Sequence, residues 1–218
     1  MHRFLTFLRK IITEITPHKP FKNSATYWED RYRTGGRSGS GSYNELAEYK
    51  AEIINNFVEK NNIQTVIEHG CGDGNQLVYG CYTSYIGFDV SPEAISICRK
   101  KFKNDKSKSF RKNNEYAGEV ADLALSLDVI YHLVEDDVFH SYMKRLFISS
   151  GKYVLIYSSN LEAQEDSMAH VRHRNFTRFI EDAFPGWKLS TKIDNKFPFK
   201  GDVSSGSHSD FFIYKKTF

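Results

Sequence analysis

The stretch Val66 to Leu77, Val-Ile-Glu-His-Gly-Cys-Gly-Asp-Gly-Asn-Gln-Leu, constrains this chain more than any other. A short β-branched run ends in the acid Glu68, and Gly70, Gly72 and Gly74 follow at every second position. A second apolar run, Tyr85-Ile86-Gly87-Phe88, ends in Asp89. Strand, glycine-rich turn, helix, strand and acid form the pattern of a nucleotide-cofactor half-site. Glycine lets the backbone turn sharply and come within contact of a ligand. A carboxylate at the second strand end can accept hydrogen bonds from both hydroxyls of a ribose.

The spacing separates one cofactor class from another. A dinucleotide site requires G-x-G-x-x-G, so that helix-N-terminal amides face a pyrophosphate. Here Gln76 and Leu77 stand where a further glycine would fall. A P-loop needs a Lys-Ser/Thr pair after its last glycine, and no such pair is present. Glu68 and Asp73 would repel a pyrophosphate. They suit a cofactor with a positive centre and a free amine.

The rest of the chain reads as alternating helices and strands. Residues 44–60 form a strong helix, and Ser24 can cap a short one carrying Tyr27, Trp28, Arg31 and Tyr32. Ser91-Pro92-Glu93 opens a helix with a cap, a proline at its first position and an acid in its first turn. Strands are expected near 107–111, 121–130, 153–158, 187–194 and 211–215, with helices near 135–148 and 174–184. Such alternation implies a parallel sheet covered on both faces. The last two strands suit an antiparallel edge hairpin. The segment from Thr34 to Tyr43, rich in Gly and Ser, reads equally as a linker or as a lid over the ligand site.

The chain has 218 residues, which suits one domain over 23–218 with an extension over 1–22. In that extension Phe4, Leu5, Leu8, Ile11, Ile12 and Ile15 recur at helical spacing among basic residues. A helix over 3–15 could lie on a membrane surface. Docking on the domain or on a second subunit is the favoured reading, because the segment is short and its charge modest. A net charge of +3 and scattered basic residues give no case for nucleic acid. Cys71, Cys81 and Cys98 have neither zinc-site spacing nor the even count of a disulfide framework. Reduced thiols fit a cytoplasmic protein. No metal site is expected.

Glu68-x-Gly70-x-Gly72-x-Gly74 followed by Asp89 resembles the class I S-adenosylmethionine-dependent methyltransferases. The wider set includes Tyr27-Trp28, the 34–43 loop, the run Leu125 to Leu133, Tyr157 to Asn160 and His173-Arg174-x-Phe176. That set looks like small stand-alone bacterial members found with genes for surface polysaccharides and secondary metabolites. The resemblance implies a Rossmann-like, doubly wound α/β fold with a seven-stranded, mostly parallel sheet. It implies S-adenosylmethionine held by Glu68, Gly70, Cys71, Gly72, Asp73, Gly74, Gln76, Asp89, Val90, Leu127, Asp128 and Tyr43. Asn113 is its candidate for the adenine edge.

The acceptor side follows from the same resemblance. His132, His170 and His173 are the candidate bases, because histidine titrates near neutral pH. Tyr131, Asn160, Arg172 and Arg174 are the candidate acceptor contacts, the two arginines as an anion clamp. O-methylation of a sugar or glycan-linked group is the expected chemistry. RNA or protein methylation, or a non-catalytic cofactor-binding partner subunit, are the alternatives. The oligomeric state is open.

Overall fold

The computed structural model describes residues 20–162 and 168–217. The expected helix over 3–15 lies outside the described residues. The strands are β1 (Thr65–His69), β2 (Ser84–Asp89), β3 (Lys108–Lys112), β4 (Ala121–Leu127), β5 (Ser150–Ser158), β6 (Trp187–Ile193) and β7 (Asp210–Lys216). They form a seven-stranded sheet in the order β3-β2-β1-β4-β5-β7-β6. β1 to β5 run parallel, and β7 lies antiparallel between β5 and β6. This is a Rossmann-like, doubly wound architecture with an antiparallel edge pair. The strand order reverses between β1 and β4, so a crevice opens at their carboxyl ends.

Five helices surround the sheet among the described residues: α1 (Ser24–Arg33), α2 (Asn44–Lys60), α3 (Pro92–Lys101), α4 (Asp136–Ile148) and α5 (Phe176–Ala183). Period-two alternation sorts the sheet side chains between two cores. Leu155, Tyr157, Phe211 and Ile213 pack with Ile54 and Val58 of α2 and Ile95 of α3. Val154, Ile156, Phe212 and Tyr214 pack with Phe139, Tyr142 and Met143 of α4 and Ile180 of α5. Both faces are thus covered, which is why β4 and β5 are nearly continuous apolar runs.

Four boundaries differ from the sequence expectation. No α-helix follows the glycine loop; the chain makes one 3-10 turn over Gln76–Tyr79 before β2. The cause is the shortness of the 75–83 connection and Gly80 at its centre, with Val78 left exposed. The cap of α1 is Asn23, whose side chain accepts from the Thr26 amide. Ser24 instead joins α1 to the start of α4. Its hydroxyl donates to Glu135 at 2.6 Å and accepts from the Val134 amide at 3.0 Å. β4 stops at Leu127 because Asp128 takes a left-handed φ of 58°, which breaks strand geometry. β5 begins earlier than expected, at Ser150.

Asp128 is held by a partner that no local sequence pattern singles out. Lys50 of α2 is 1% exposed, and its Nζ lies 2.7 Å from Asp128 Oδ2 and 5.2 Å from the centre of the Tyr157 ring. Removing one member of a buried pair leaves an uncompensated charge. Lys50→Met is expected to lower urea-unfolding stability by about 3 kcal/mol, with Lys50→Met/Asp128→Asn recovering at least half of it. An unchanged midpoint in the single variant would show that the pair contributes nothing.

Candidate active site

The carboxyl ends of β1, β2, β4 and β5 border a cavity of about 600 Å³. That is within the range of small-ligand sites. One half is built on the glycine loop. Gly70 and Gly72 have φ values of 87° and 56°. A Cβ at Gly70 would meet Val129 at 2.5 Å, and one at Gly72 would meet Ser38 Oγ at 2.5 Å. Left-handed backbone and lack of room both demand glycine here. The amides of Gly70 and Cys71 donate to the Phe88 carbonyl at 2.7 and 3.0 Å. Asp89 then accepts from the Gly72 amide and the Ser91 amide, each at 2.9 Å. Both carboxylate oxygens keep capacity for a further donor.

Three carboxylates line this half. Burial pushes Glu68 up to about 7, although the Tyr85 hydroxyl donates to it at 2.6 Å. Burial pushes Asp89 up to about 6 against its backbone donors. Asp128 accepts from Lys50, from the Tyr131 hydroxyl at 3.0 Å and from Ser209 Oγ at 3.2 Å. Gln76 also lines the wall. Its amide nitrogen donates to the Ala47 carbonyl at 2.9 Å, and its Oε1 is buried without a partner.

The 34–43 segment packs directly on the glycine loop. Asp73 Oδ2 accepts from the Ser38 amide at 3.0 Å and the Tyr43 hydroxyl at 2.6 Å. Asn75 Nδ2 donates to the Ser42 carbonyl at 2.7 Å, and Ser40 Oγ donates to the Val203 carbonyl at 2.6 Å. Ser38 to Ser42 thereby form one wall of the cavity. Burial alone would raise the Asp73 pKa, but the donors from Tyr43, Ser38 and Asn75 together hold it below the usual carboxylate range.

The other half is aromatic and rich in imidazole. Trp28 of α1 meets the His132 ring edge-on at 4.8 Å, and Tyr27 stacks on His170 at 4.2 Å. His132 Nδ1 donates to the His170 carbonyl at 3.0 Å. A carbonyl can only accept, so the proton is fixed on Nδ1 and Nε2 keeps its lone pair. Burial lowers His132 to about 4, so it is neutral at pH 7. His173 Nδ1 pairs with Ser159 Oγ at 2.6 Å, and burial holds this imidazole below its ordinary range too.

Most of the sequence-derived candidates converge on the cavity. Glu68, Gly70, Cys71, Gly72, Gln76, Asp89, Val90, Leu127, Asp128, Tyr131, His132, His170 and His173 all line it. Asp73, Gly74 and Tyr43 do not; Asp73 and Tyr43 fasten the covering segment, and Gly74 makes room for Cys98 and Phe102. Asn113 stands outside the lining, with its Oδ1 buried and unpartnered. Asn160 is turned away, bonded to Thr177 at the start of α5. Arg172 and Arg174 also face away: both pair with Asp136, Arg172 donates to the Val134 carbonyl, and Arg174 donates to those of Leu133 and Val134. Lining residues outside the sequence-derived candidates include Tyr32, Ser159, Phe199, His208 and Ser209, while Ser38 belongs to the segment read as linker or lid. No local pattern marks Phe199, His208 and Ser209, which reach the cavity only because β7 returns beside β5.

Residues 67–155 match the family model described as a methyltransferase domain. That segment runs from β1 into β5 and contains the glycine loop, Asp89 and Asp128. No curated protein matches the chain. Among solved structures, the N-methyltransferase NodS from Bradyrhizobium japonicum in complex with S-adenosyl-L-homocysteine superposes with a TM-score of 0.71 at 13% identity, covering 89% of this chain and 99% of that one. The magnesium protoporphyrin IX methyltransferase of Synechocystis with bound SAM gives a TM-score of 0.62 at 12% identity, covering 92% and 100%. The CurJ carbon methyltransferase gives 0.58 at 12% identity, covering 82% and 57%. These likenesses establish the fold, and the proteins concerned methylate different kinds of acceptor.

Two outcomes test the site. Glu68 is raised above its ordinary 4.5, so the folded state holds its proton more tightly. Its contribution to stability is therefore complete below about pH 4.5 and lost as pH rises through 7. Glu68→Gln is expected to flatten that decline and to exceed the parent in stability at pH 8 by on the order of 2 kcal/mol, read by denaturant melts across pH. Asp73→Ala should free the covering segment, so trypsin should cut after exposed Arg37 several-fold faster. Equal cleavage rates would show that the Asp73 contacts do not hold it.

Proposed function

We propose that this chain transfers a methyl group from S-adenosylmethionine to an oxygen of a small molecule, with a sugar or glycan-linked hydroxyl as the acceptor class. The observation that carries this reading is one cavity with two chemically distinct halves. Glycine-loop backbone and three carboxylates line one end, and neutral imidazoles line the other. The residues present fit the cofactor. Asp89 keeps free lone pairs for ribose hydroxyls, Asp128 offers negative charge to a cationic sulfonium or ammonium, and Glu68 adds a carboxyl oxygen that can accept from the ammonium. Gln76 Oε1, in the cavity wall, is a buried acceptor in need of a donor.

Bound S-adenosylmethionine supplies an electrophilic methyl on a sulfonium, open to in-line displacement. The chain's contribution is alignment and proton removal. As the new carbon–oxygen bond forms, the attacking hydroxyl becomes strongly acidic. An imidazole of low basicity then suffices to take the proton. His132 has the correct tautomer, with Nδ1 tied to the His170 carbonyl and Nε2 left to accept. Ser38 to Ser42 exclude water from the cofactor half, which strengthens the carboxylate contacts there.

Calorimetry with S-adenosylmethionine and NAD in parallel tests the cofactor. Micromolar binding of the first alone is expected, and binding of NAD alone would sink the reading. With an acceptor in hand, His132→Ala should lower kcat by about 10²-fold or more with cofactor affinity retained. Because His132 titrates at about 4, the acid limb of the parent profile should lie well below pH 6. Activity and an acid limb that both persist in His132→Ala would pass the role to His173, whose burial also holds it below the ordinary imidazole range.

A further inference from the structure

Among the described residues lining the cavity, the acidic and basic side chains besides histidine are Glu68, Asp89, Asp128 and Arg31. The acids stand in the cofactor half. Arg31 arrives on α1, which lays Ser24, Ala25, Trp28, Arg31 and Tyr32 along the cavity as one helical stripe. A long side chain on a helix points back over the preceding turn. The Arg31 guanidinium accordingly lies over the Trp28 ring at 5.5 Å, with Nη1 3.4 Å from the Tyr27 hydroxyl. Trp28 and Tyr27 are the rings that meet His132 and His170, so this charge stands in the acceptor half. Its field reaches both imidazoles: after the larger effect of burial, Arg31 further disfavours their protonation.

The guanidinium is held in place without being neutralised. Nε donates to the Arg37 carbonyl at 2.6 Å, which fixes the fork relative to the covering segment. Among the described residues no carboxylate forms an ion pair with it, and its other N–H groups meet only the long contact to Tyr27. Arg172 and Arg174 differ, since Asp136 pairs with both outside this cavity. A half-buried guanidinium with unused donors, between an indole and two imidazoles, has more to gain from an anion than a fully solvated one. The carboxylate of the cofactor itself has another donor. The hydroxyls of Tyr32 and Ser38 stand against Gly72 and pair with each other at 2.9 Å, which leaves one of their two protons to donate.

We infer that the acceptor carries an oxyanion, which Arg31 binds while the hydroxyl to be methylated faces His132. This rests on the methyl-transfer reading of the same site and adds a charge to its acceptor, of which a sugar acid or a sugar phosphate is the type. The planar fork of arginine presents paired donors to either group. Asp89 and Asp128 repel an anion from the opposite end, so the acceptor enters in one orientation. Arg31 and His132 lie against the same indole, at 5.5 and 4.8 Å from its centre. Anion and hydroxyl therefore belong to one compact molecule rather than to the two ends of a long one.

The test uses the full chain loaded with S-adenosylhomocysteine and titrated by calorimetry with three probes. These are methyl β-glucoside, methyl β-glucuronide and glucose 6-phosphate. At least one of the two anions is expected to bind tenfold or more tighter than the neutral glucoside, and their order tells carboxylate from phosphate. Arg31→Gln should abolish that gain, with affinity for the neutral glucoside and for S-adenosylhomocysteine unchanged. Arg31→Lys, which keeps the charge and loses the fork, should recover part of it. Binding of neither anion, or neutral binding as tight as that of both, overturns the inference. So does a gain that survives in Arg31→Gln, and so does equal weakening of all three probes there, the mark of a purely structural role. A loss of S-adenosylhomocysteine affinity in Arg31→Gln would place the cofactor's carboxylate on Arg31 and overturn it as well. Failure of the parent chain to load S-adenosylhomocysteine would instead strike the methyl-transfer reading, so the two failures are distinguishable.

Discussion

The carboxylate of Asp128 holds the working end of this molecule together. It sits where β4 breaks into a left-handed residue, beside the point at which the strand order reverses. Four elements converge on it. Lys50 reaches it from α2, Tyr131 from the turn that carries His132, and Ser209 from the loop before β7. Gly41 of the covering segment approaches so closely that a Cβ there would lie 2.8 Å from Oδ2. A charge in this position would be costly alone. With an ammonium and two hydroxyls around it, it becomes the fixed point from which both halves of the cavity are measured.

The fold was legible wherever local chemistry and global topology agree. The β-branched runs, the Ser-Pro-Glu helix start of α3 and the apolar β4 and β5 read directly, because period-two and capping signals are local. The edge hairpin was legible from the closeness of its two strands in sequence. The missing helix after Gly74 was not, since the usual strand–turn–helix pattern overrode the signal of a short connection broken by Gly80. The cap of α1 was misplaced by one residue because Asn23 and Ser24 are both good caps, and only the tertiary partner Glu135 decides between them.

The site was legible in proportion to how local each residue's role is. Glycine-loop residues act through backbone geometry, and the motif names them. Lys50 acts only through a contact 78 residues away, in the middle of a helix whose sequence reads as ordinary. His208 and Ser209 depend on the antiparallel return of β7. Arg172 and Arg174 show the opposite case. Their composition suggested an anion clamp, but Asp136 and the carbonyls at 133–134 draw their guanidinium groups away from the cavity. A charged residue's function depends on which partner reaches it first, and sequence spacing does not report that.

The covering segment is fastened at two places: Asp73 on the cofactor side, and the Val203 carbonyl on the acceptor side. One strip of chain thus borders both halves at once. The two walls are therefore mechanically coupled: a displacement of this strip shifts both together, and neither half can be widened on that side without the other.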